Sequence, residues 1–306
     1  MELNEILRKT GFKEGSNVEL LAGDASTRKY YRIKENDTSY VIMQSEPFSD
    51  KDPNIICHDL FRNCGTRVPE FIKVIPQEGI IVEEDIGGVH LQDVSDKGLL
   101  ENYYNKAVDD MHKYQKTSTN TAFTKEKFLS ELDMTFNYYV TKYRNKKLDN
   151  KKKVDSFCVD LVDKMMDQDK LFLHRDYHSR NIMVKDGELV VIDFQDARMG
   201  PYTYDVVSLA IDPYISLDET FRTNILKLYY DLVSKDIGVD YDDYLRHCDL
   251  CYLQRGIKML GTFSYQKIEK NKDGYLKYIP SVLDSIKRAS KRFPEWQALI
   301  DEVYIR

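Results

Sequence analysis

The segment His174-Arg175-Asp176-Tyr177-His178-Ser179-Arg180-Asn181, followed a short distance later by Asp193-Phe194, decides how the rest of the chain is interpreted. Between these two parts, two apolar runs flank the dipeptide Asp186-Gly187, which is a strong hairpin signal. A tight hairpin returns the chain to its starting point, so the pattern predicts that Asp193 lies beside Asn181. Carboxylate and amide oxygens in one place are ligands of the kind that Mg²⁺ prefers.

The order of these residues is the pattern H-R-D-x-x-x-x-N followed by D-F, which is typical of phosphoryl transfer. This reaction needs an acceptor hydroxyl in line with the γ-phosphate and cations over the phosphate oxygens. Asp176 can accept or orient the hydroxyl proton, while Asn181 and Asp193 can share one Mg²⁺ ion. The alternative, an acidic turn and a buried Asp-Phe pair, requires three ligand-type residues to fall at these offsets by coincidence.

Outward from this segment, the hydrophobic pattern changes character near residue 85. The earlier part predicts strands over residues 18–22, 29–33, 39–44, 71–75 and 79–83. The later part carries apolar stripes at helical spacing. We therefore expect an α+β fold, with a small β-rich lobe at 1–85 that binds ATP and a larger helical lobe at 86–306 that supplies the catalytic and acceptor-binding residues.

Charge and composition exclude several classes of partner. The chain has 45 Lys and Arg against 51 Asp and Glu, so its net charge of −6 gives no general attraction to nucleic acid or anionic lipid. No run approaches the roughly 18 apolar residues of a membrane span, and no signal peptide is visible. Five cysteines without framework spacing are typical of reduced thiols, which predicts a cytoplasmic protein. Cys248-x-x-Cys251 lies in a helical apolar pattern, which favours core packing over zinc binding.

Four stretches resemble the aminoglycoside-phosphotransferase-like small-molecule kinases and, among them, the bacterial N-acetylmuramate/N-acetylglucosamine anomeric kinases. They are GDASTRKYYR at 23–32, HRDYHSRNIM at 174–183, IDFQDARMGPYTYDVVSL at 192–209 and LQRGIKMLGTF at 253–263. The resemblance implies a bilobal protein-kinase-like fold, with ATP and Mg²⁺ as cofactors. It also implies phosphorylation of a small-molecule acceptor, the anomeric hydroxyl of an N-acetylated amino sugar, in cell-wall sugar recycling.

The same resemblance implies a role for individual residues. Asp176 is then the catalytic carboxylate, Asn181 and Asp193 are the Mg²⁺ ligands, and Asp205 supports the catalytic loop from the start of a helix. The turn at 23–26 is expected to cover the ATP phosphates, with adenine near residues 83–85. On this basis we expect Gly23, Asp24, Ser26 and Glu84 to bind ATP, and we add Arg28 and Arg32 on the separate argument that follows.

One departure from the protein-kinase pattern concerns the phosphate clamp. A protein kinase places a lysine on its third strand, but residues 40–44 contain none, and the helix that follows offers only Asp59 as an acidic partner. We therefore hypothesise that Arg28 or Arg32 holds the phosphates, the alternative being that both are solvated strand residues. The short stretch from Asp193 to Asp205 leaves no room for a regulated activation loop.

Four polar residues are candidate ligands of the acceptor: His178, Gln195, Asp196 and Arg255. The first three can bond sugar hydroxyls, and Arg255 can pair with a lactyl carboxylate. Structural roles compete with these, namely pinning of the loop by His178 and pairing of Arg255 with Asp249 or Asp205. The functional alternatives are a kinase for an aminoglycoside, choline or another sugar, and a catalytically weak nucleotide-binding regulatory protein. The sequence predicts no oligomeric state.

Overall fold

The structure, a computed structural model, describes residues 2–13, 15–21, 28–147 and 151–305. Its contacts divide the chain into two units. The N-terminal unit comprises Met1–His90 and Asn181–Asp196, and the helical unit comprises Leu91–Arg180 and Ala197–Arg306. This division by contacts falls at residue 90, where we expected a lobe boundary at residue 85, and it groups the hairpin between Asn181 and Asp193 with the N-terminal residues.

The strands of the described residues are β1 (Asn17–Leu21), β2 (Lys29–Glu35), β3 (Thr38–Gln44), β4 (Phe71–Ile75), β5 (Ile80–Glu84), β6 (Val89–His90), β7 (Lys170–Leu173), β8 (Ile182–Lys185), β9 (Glu188–Val191) and β10 (Arg198–Pro201). The α-helices are α1 (Leu3–Thr10), α2 (Pro53–Asn63), α3 (Lys97–Tyr114), α4 (Lys125–Thr135), α5 (Lys151–Met166), α6 (Tyr204–Ala210), α7 (Glu219–Ile237), α8 (Tyr241–Lys270), α9 (Ile279–Ser290) and α10 (Pro294–Ile300). Each strand expected in the first 85 residues is present, with bounds within two residues of those expected.

The N-terminal unit is built on a five-stranded antiparallel sheet in the order β1-β2-β3-β5-β4. Its alternating apolar residues face α1, which contributes Ile6 and Leu7 to the core. Residues of three strands complete that core: Ile33, Ile42, Ile80 and Val82. A second sheet, in the order β6-β8-β9, ties the hairpin of residues 182–191 to this unit.

The helical unit is arranged around α8, a helix of 30 residues that packs against α4, α5, α6 and α9. Its N-terminus is capped by Asp240, whose side chain accepts from the Asp243 N–H. Cys248 and Cys251 are free and buried on this helix, which agrees with the core packing expected for them. The antiparallel pair β7–β10 was not expected from the sequence. Among the described residues, no helix is both long and apolar enough to cross a membrane.

Candidate active site

The predicted catalytic loop, which carries Asp176, begins where β7 ends, and a buried carboxylate from α6 holds it in place. Asp205 Oδ2 accepts hydrogen bonds from the His174 N–H at 2.7 Å and from the Tyr114 hydroxyl at 2.8 Å. Its Oδ1 accepts from the Arg175 N–H at 3.0 Å. These bonds satisfy loop N–H groups that would otherwise be costly to bury. Asp205 therefore has the supporting role that the resemblance implied.

A second carboxylate supports the other end of this loop. Asp212 Oδ2 accepts from the Ser179 N–H at 2.7 Å, and its Oδ1 accepts from the Tyr214 N–H at 2.8 Å. The catalytic loop is thus anchored on both sides of Asp176. The backbone of Arg175 adopts a left-handed conformation with φ +81°, which is uncommon for a side chain of this size and typical of functional loops.

Asp176 lies among three cations of the helical unit. Its Oδ1 is 3.7 Å from Arg255 Nη2 and 3.9 Å from Lys258 Nζ, and its Oδ2 is 3.9 Å from Arg175 Nε. Burial alone would raise the pKa of Asp176, but the positive charges, that of Lys258 first, hold the pKa well below its usual value. The carboxylate is therefore ionised at neutral pH, and 32% of the side-chain surface remains exposed.

Lys258 and Glu131 are members of this cluster that the sequence analysis did not single out. Lys258 Nζ lies 3.7 Å from Glu131 Oε1, which also lies 3.4 Å from Arg175 Nη2. Burial lowers the pKa of Lys258, and the charges of Asp176 and Glu131 oppose that effect. Because Lys258 follows Arg255 by three positions on α8, helical spacing places both on one face. That spacing could have identified Lys258, whereas Glu131 carried no local signal.

Arg255, a predicted ligand of the acceptor, is held against the loop that carries Asp176. Its guanidinium donates to the Arg175 carbonyl and to Ser208 Oγ, both at 2.7 Å, and lies 4.6 Å above the Tyr204 ring. The side chain is buried, and these contacts direct it at the catalytic loop. The alternative partner Asp249 instead accepts from Arg292 at 2.9 Å. Arg255 thus positions the loop and Asp176.

In the N-terminal unit, the hairpin brings the two predicted metal ligands together. Asn181 Nδ2 lies 3.4 Å from Asp193 Oδ2, and the Ile192 N–H donates to the Asn181 carbonyl at 3.0 Å. Gln195 Nε2 donates to Asp193 Oδ1 at 2.8 Å. A carboxylate and a side-chain amide within hydrogen-bond distance form an oxygen donor set that fits Mg²⁺. Gln195, expected as an acceptor ligand, thus contacts the predicted metal ligand Asp193.

Only some of the predicted ATP-binding residues are among those that the structure describes. Gly23, Asp24 and Ser26 lie outside the described residues. Arg28 Nη1 contacts Asn54 Oδ1 at 3.3 Å, so this arginine stays a prediction for the phosphate clamp.

Arg32 and Glu84 are both held in ion pairs of the N-terminal unit. Arg32 Nε and Nη2 donate to the two oxygens of Asp85, at 2.6 and 3.2 Å. This bidentate pair makes Arg32 a partner of Asp85, and its part in a phosphate clamp stays a prediction. Glu84 Oε1 accepts from Lys185 Nζ and Arg67 Nη2, both at 3.0 Å. Next to it, burial and the charge of Asp85 raise the pKa of Glu83 to about 8.

The four predicted acceptor ligands divide between the units. Gln195 and Asp196 belong to the N-terminal unit, where Asp196 is exposed, and His178 and Arg255 belong to the helical unit. The His178 ring contacts Tyr214 edge to face at 5.1 Å between centroids, and burial lowers its pKa. His178 is therefore neutral at pH 7 and available as a hydrogen-bonding group.

Residues 17–238 match the model of the phosphotransferase enzyme family, APH. The chain belongs to this family. Two curated relatives, from Pseudomonas aeruginosa and Neisseria meningitidis, are each named N-acetylmuramate/N-acetylglucosamine kinase. Both are 28% identical to this APH protein, and the matches cover 96% and 90% of this chain and 90% and 86% of theirs.

Solved structures of similar fold support the architecture of this APH chain. A choline kinase, LicA from Streptococcus pneumoniae, has a TM-score of 0.67 at 16% identity, covering 93% of this chain and 97% of its own. An ADP-bound aminoglycoside phosphotransferase has a TM-score of 0.59 at 15% identity, covering 94% and 97%. The bilobal protein-kinase-like α+β fold is thereby confirmed. With the family assignment, the chain is an ATP-dependent small-molecule kinase.

Proposed function

We propose that this kinase transfers the γ-phosphoryl group of ATP to the anomeric hydroxyl of N-acetylmuramate or N-acetylglucosamine. The observation that carries the choice of acceptor is the match, over nearly the full length of both chains, to relatives named for these two sugars. Such a reaction would activate amino sugars released from the cell wall so that they can be used again.

The ionised state of Asp176 decides what this residue would contribute. A carboxylate whose pKa lies far below 7 is a weak base, but it accepts a hydrogen bond from a hydroxyl well. Phosphoryl transfer has a loose transition state that gains mainly from positioning and charge stabilisation. Asp176 would therefore align the anomeric oxygen and take its proton late. Lys258 and Arg255 keep the carboxylate charged and in place.

Asn181 and Asp193 would hold Mg²⁺ through the amide and carboxylate oxygens described above. When bound, the ion neutralises charge on the phosphate oxygens of the nucleotide. Gln195, which donates to Asp193 Oδ1, would fix the orientation of that carboxylate, because an oriented ligand binds a metal ion more tightly. Asp176 precedes Asn181 by five positions, so one continuous loop and hairpin carries all three groups.

The test is phosphorus NMR of the purified protein with ATP, Mg²⁺ and one acceptor at a time: N-acetylmuramate, N-acetylglucosamine, glucose, choline or kanamycin. We expect a new anomeric sugar-phosphate resonance with the two N-acetyl sugars. A phosphate on choline or kanamycin alone would contradict the proposed acceptor.

The control is the Asp176→Asn protein purified in the same way. It should form no sugar phosphate while it still binds ADP, because only the alignment of the acceptor is lost. Turnover equal to that of the wild type in this variant would refute the role of Asp176.

A further inference from the structure

A cavity of about 460 Å³ lies within the helical unit, bounded by the segment after α6 and by α7, α8 and α9. This volume falls in the range of about 300–1,000 Å³ that is usual for small-molecule sites. Its aromatic walls are Tyr214, Tyr252 and Tyr278. None of the residues assigned above to metal or nucleotide binding lines it.

Two arginine side chains line this cavity, Arg222 of α7 and Arg288 of α9. Among the described residues, neither guanidinium group forms a hydrogen bond or an ion pair within 4 Å. Both side chains are half-buried. Burial first, and then the charge of Arg288, lower the pKa of Arg222, against the smaller opposing effects of Glu219, Tyr252 and Asp218. Two like charges that share a cavity destabilise each other, and an anion bound between them removes that cost.

Among the described residues, no acidic group near the cavity forms an ion pair with either arginine, although the charges of Glu219 and Asp218 act on Arg222 from the start of α7. Asp212 lines it, but both of its oxygens accept backbone N–H groups, from Ser179 and Tyr214. Asp284 lines it from an exposed position on α9 and forms no ion pair with either arginine among the described residues. Asp249 also acts on Arg288 electrostatically, but its carboxylate accepts from Arg292.

The wall of the cavity is continuous with the catalytic loop. Tyr214 lines the cavity and contacts the ring of His178, two positions after Asp176. Tyr214 is in turn covered by the Arg180 guanidinium, 3.7 Å from its ring, and Arg180 Nη2 donates to the hydroxyl of Tyr278 at 2.8 Å. A molecule in the cavity would therefore contact side chains that the catalytic loop itself holds.

We propose that this cavity binds an anionic, carboxylate-bearing substituent of the acceptor, with Arg222 and Arg288 as its ligands. The proposal rests on the proposed function, because it concerns the same acceptor, and it makes the lactyl carboxylate of N-acetylmuramate the group that is recognised. A planar carboxylate matches the guanidinium fork. Serine hydroxyls of α9 and the tyrosine rings would contact the remaining sugar groups. Arg222 and Arg288 thus take the role that the sequence analysis gave to Arg255.

The two sugars allow a comparison within each variant, since N-acetylglucosamine lacks the carboxylate and serves as the reference substrate. Arg222→Met and Arg288→Met should each raise the KM for N-acetylmuramate by about tenfold or more, because a charge-assisted hydrogen bond is lost. The KM for N-acetylglucosamine and the kcat for both sugars should change by less than about twofold. The matched control is Lys287→Met, which removes a positive charge from the neighbouring, exposed position of α9.

Each outcome separates this inference from the proposed function. If the wild-type protein phosphorylates neither sugar, the proposed function fails, and the acceptor subsite fails with it. If both sugars are phosphorylated and the arginine variants keep the wild-type KM for N-acetylmuramate, only the subsite is refuted. An equal rise in KM or fall in kcat for both sugars would indicate that the arginines stabilise the fold, and it would also refute the subsite. Calorimetric titration of each variant with N-acetylmuramate gives the same comparison without turnover.

Discussion

At the scale of single residues, the proposed chemistry depends on keeping Asp176 ionised. Lys258 is the largest of the charges that lower the pKa of Asp176, ahead of Arg175 and Arg255. A carboxylate with a lowered pKa is protonated only in strong acid, so its contribution to turnover is present at all pH values near neutrality.

Replacement of Lys258 should therefore expose an acid limb in the pH dependence of the reaction. In Lys258→Gln the pKa of Asp176 rises, so kcat/KM for the acceptor should begin to fall at a higher pH than in the wild type as the solution is acidified. Profiles of kcat/KM between pH 4.5 and 8 measure this shift. Lys270→Gln, at the end of the same helix, is the control. Identical profiles for Lys258→Gln and the wild type would show that Lys258 does not tune Asp176.

At the scale of secondary-structure elements, the close approach of α4 to α8 depends on Gly261. A Cβ built at this position would lie 2.6 Å from Thr135 Cα and 2.9 Å from Thr135 N, both backbone atoms of α4. Thr135 Oγ1 also donates to the Ile257 carbonyl of α8 at 2.9 Å, so the two helices are fixed at this point. At Gly256, by contrast, the nearest atom is Ile286 Cγ1 at 2.8 Å, which belongs to a movable side chain.

Alanine substitutions at these two glycines should show how a clash with backbone atoms and a gain in helix propensity each change the free energy of unfolding. Gly261→Ala should lower the free energy of unfolding by about 1–3 kcal/mol, because α4 must move away. Gly256→Ala should change it by less than about 1 kcal/mol, since the gain in helix propensity offsets the displacement of Ile286. Urea unfolding followed by circular dichroism measures both. Equal stability of the two variants would indicate that the helices adjust without cost.

Elements with local signals were predictable, and those defined by distant partners were not. The hairpin of β8 and β9 followed from Asp186-Gly187, and both residues adopt the positive φ that this turn requires. The strands β7 and β10 were missed because each is four residues long and its pairing partners are distant in sequence: Leu173 pairs with Arg198, and Met199 also bridges to Ala122. Nothing in a run of four residues distinguishes such a strand from a loop.

The same limit applies at the candidate site. The proximity of Asn181 to Asp193 was predictable because a local hairpin signal lies between them. The contacts of the Arg255 guanidinium with the Arg175 carbonyl and Ser208 were not, because those groups are remote in sequence. Arg222 and Arg288 are likewise 66 positions apart by number, and only the packing of α7 against its neighbours brings them to one cavity.

At the scale of the whole molecule, mutations should affect nucleotide binding and acceptor binding separately, because the residues proposed for each belong to different units. The proposed metal ligands Asn181 and Asp193 belong to the N-terminal unit, and Asp176 and the arginine pair belong to the helical unit. Nucleotide binding that depends on Mg²⁺ should therefore respond to a change at Asp193 and not to a change at Asp176.

In Asp193→Asn, the affinity for ADP with Mg²⁺ should fall by about tenfold or more, because a charged ligand of a hard cation is lost. With EDTA in place of Mg²⁺, the same variant should bind ADP as well as the wild type or better, since a carboxylate no longer repels the phosphates. A loss of ADP affinity with Mg²⁺ but not with EDTA distinguishes a metal ligand from a residue that only maintains the fold. Isothermal titration with ADP measures both affinities. Asp186→Asn, which removes the same charge from the exposed hairpin turn, is the matched control. An equal loss of affinity with and without Mg²⁺ would assign Asp193 a structural role in place of a metal-binding one.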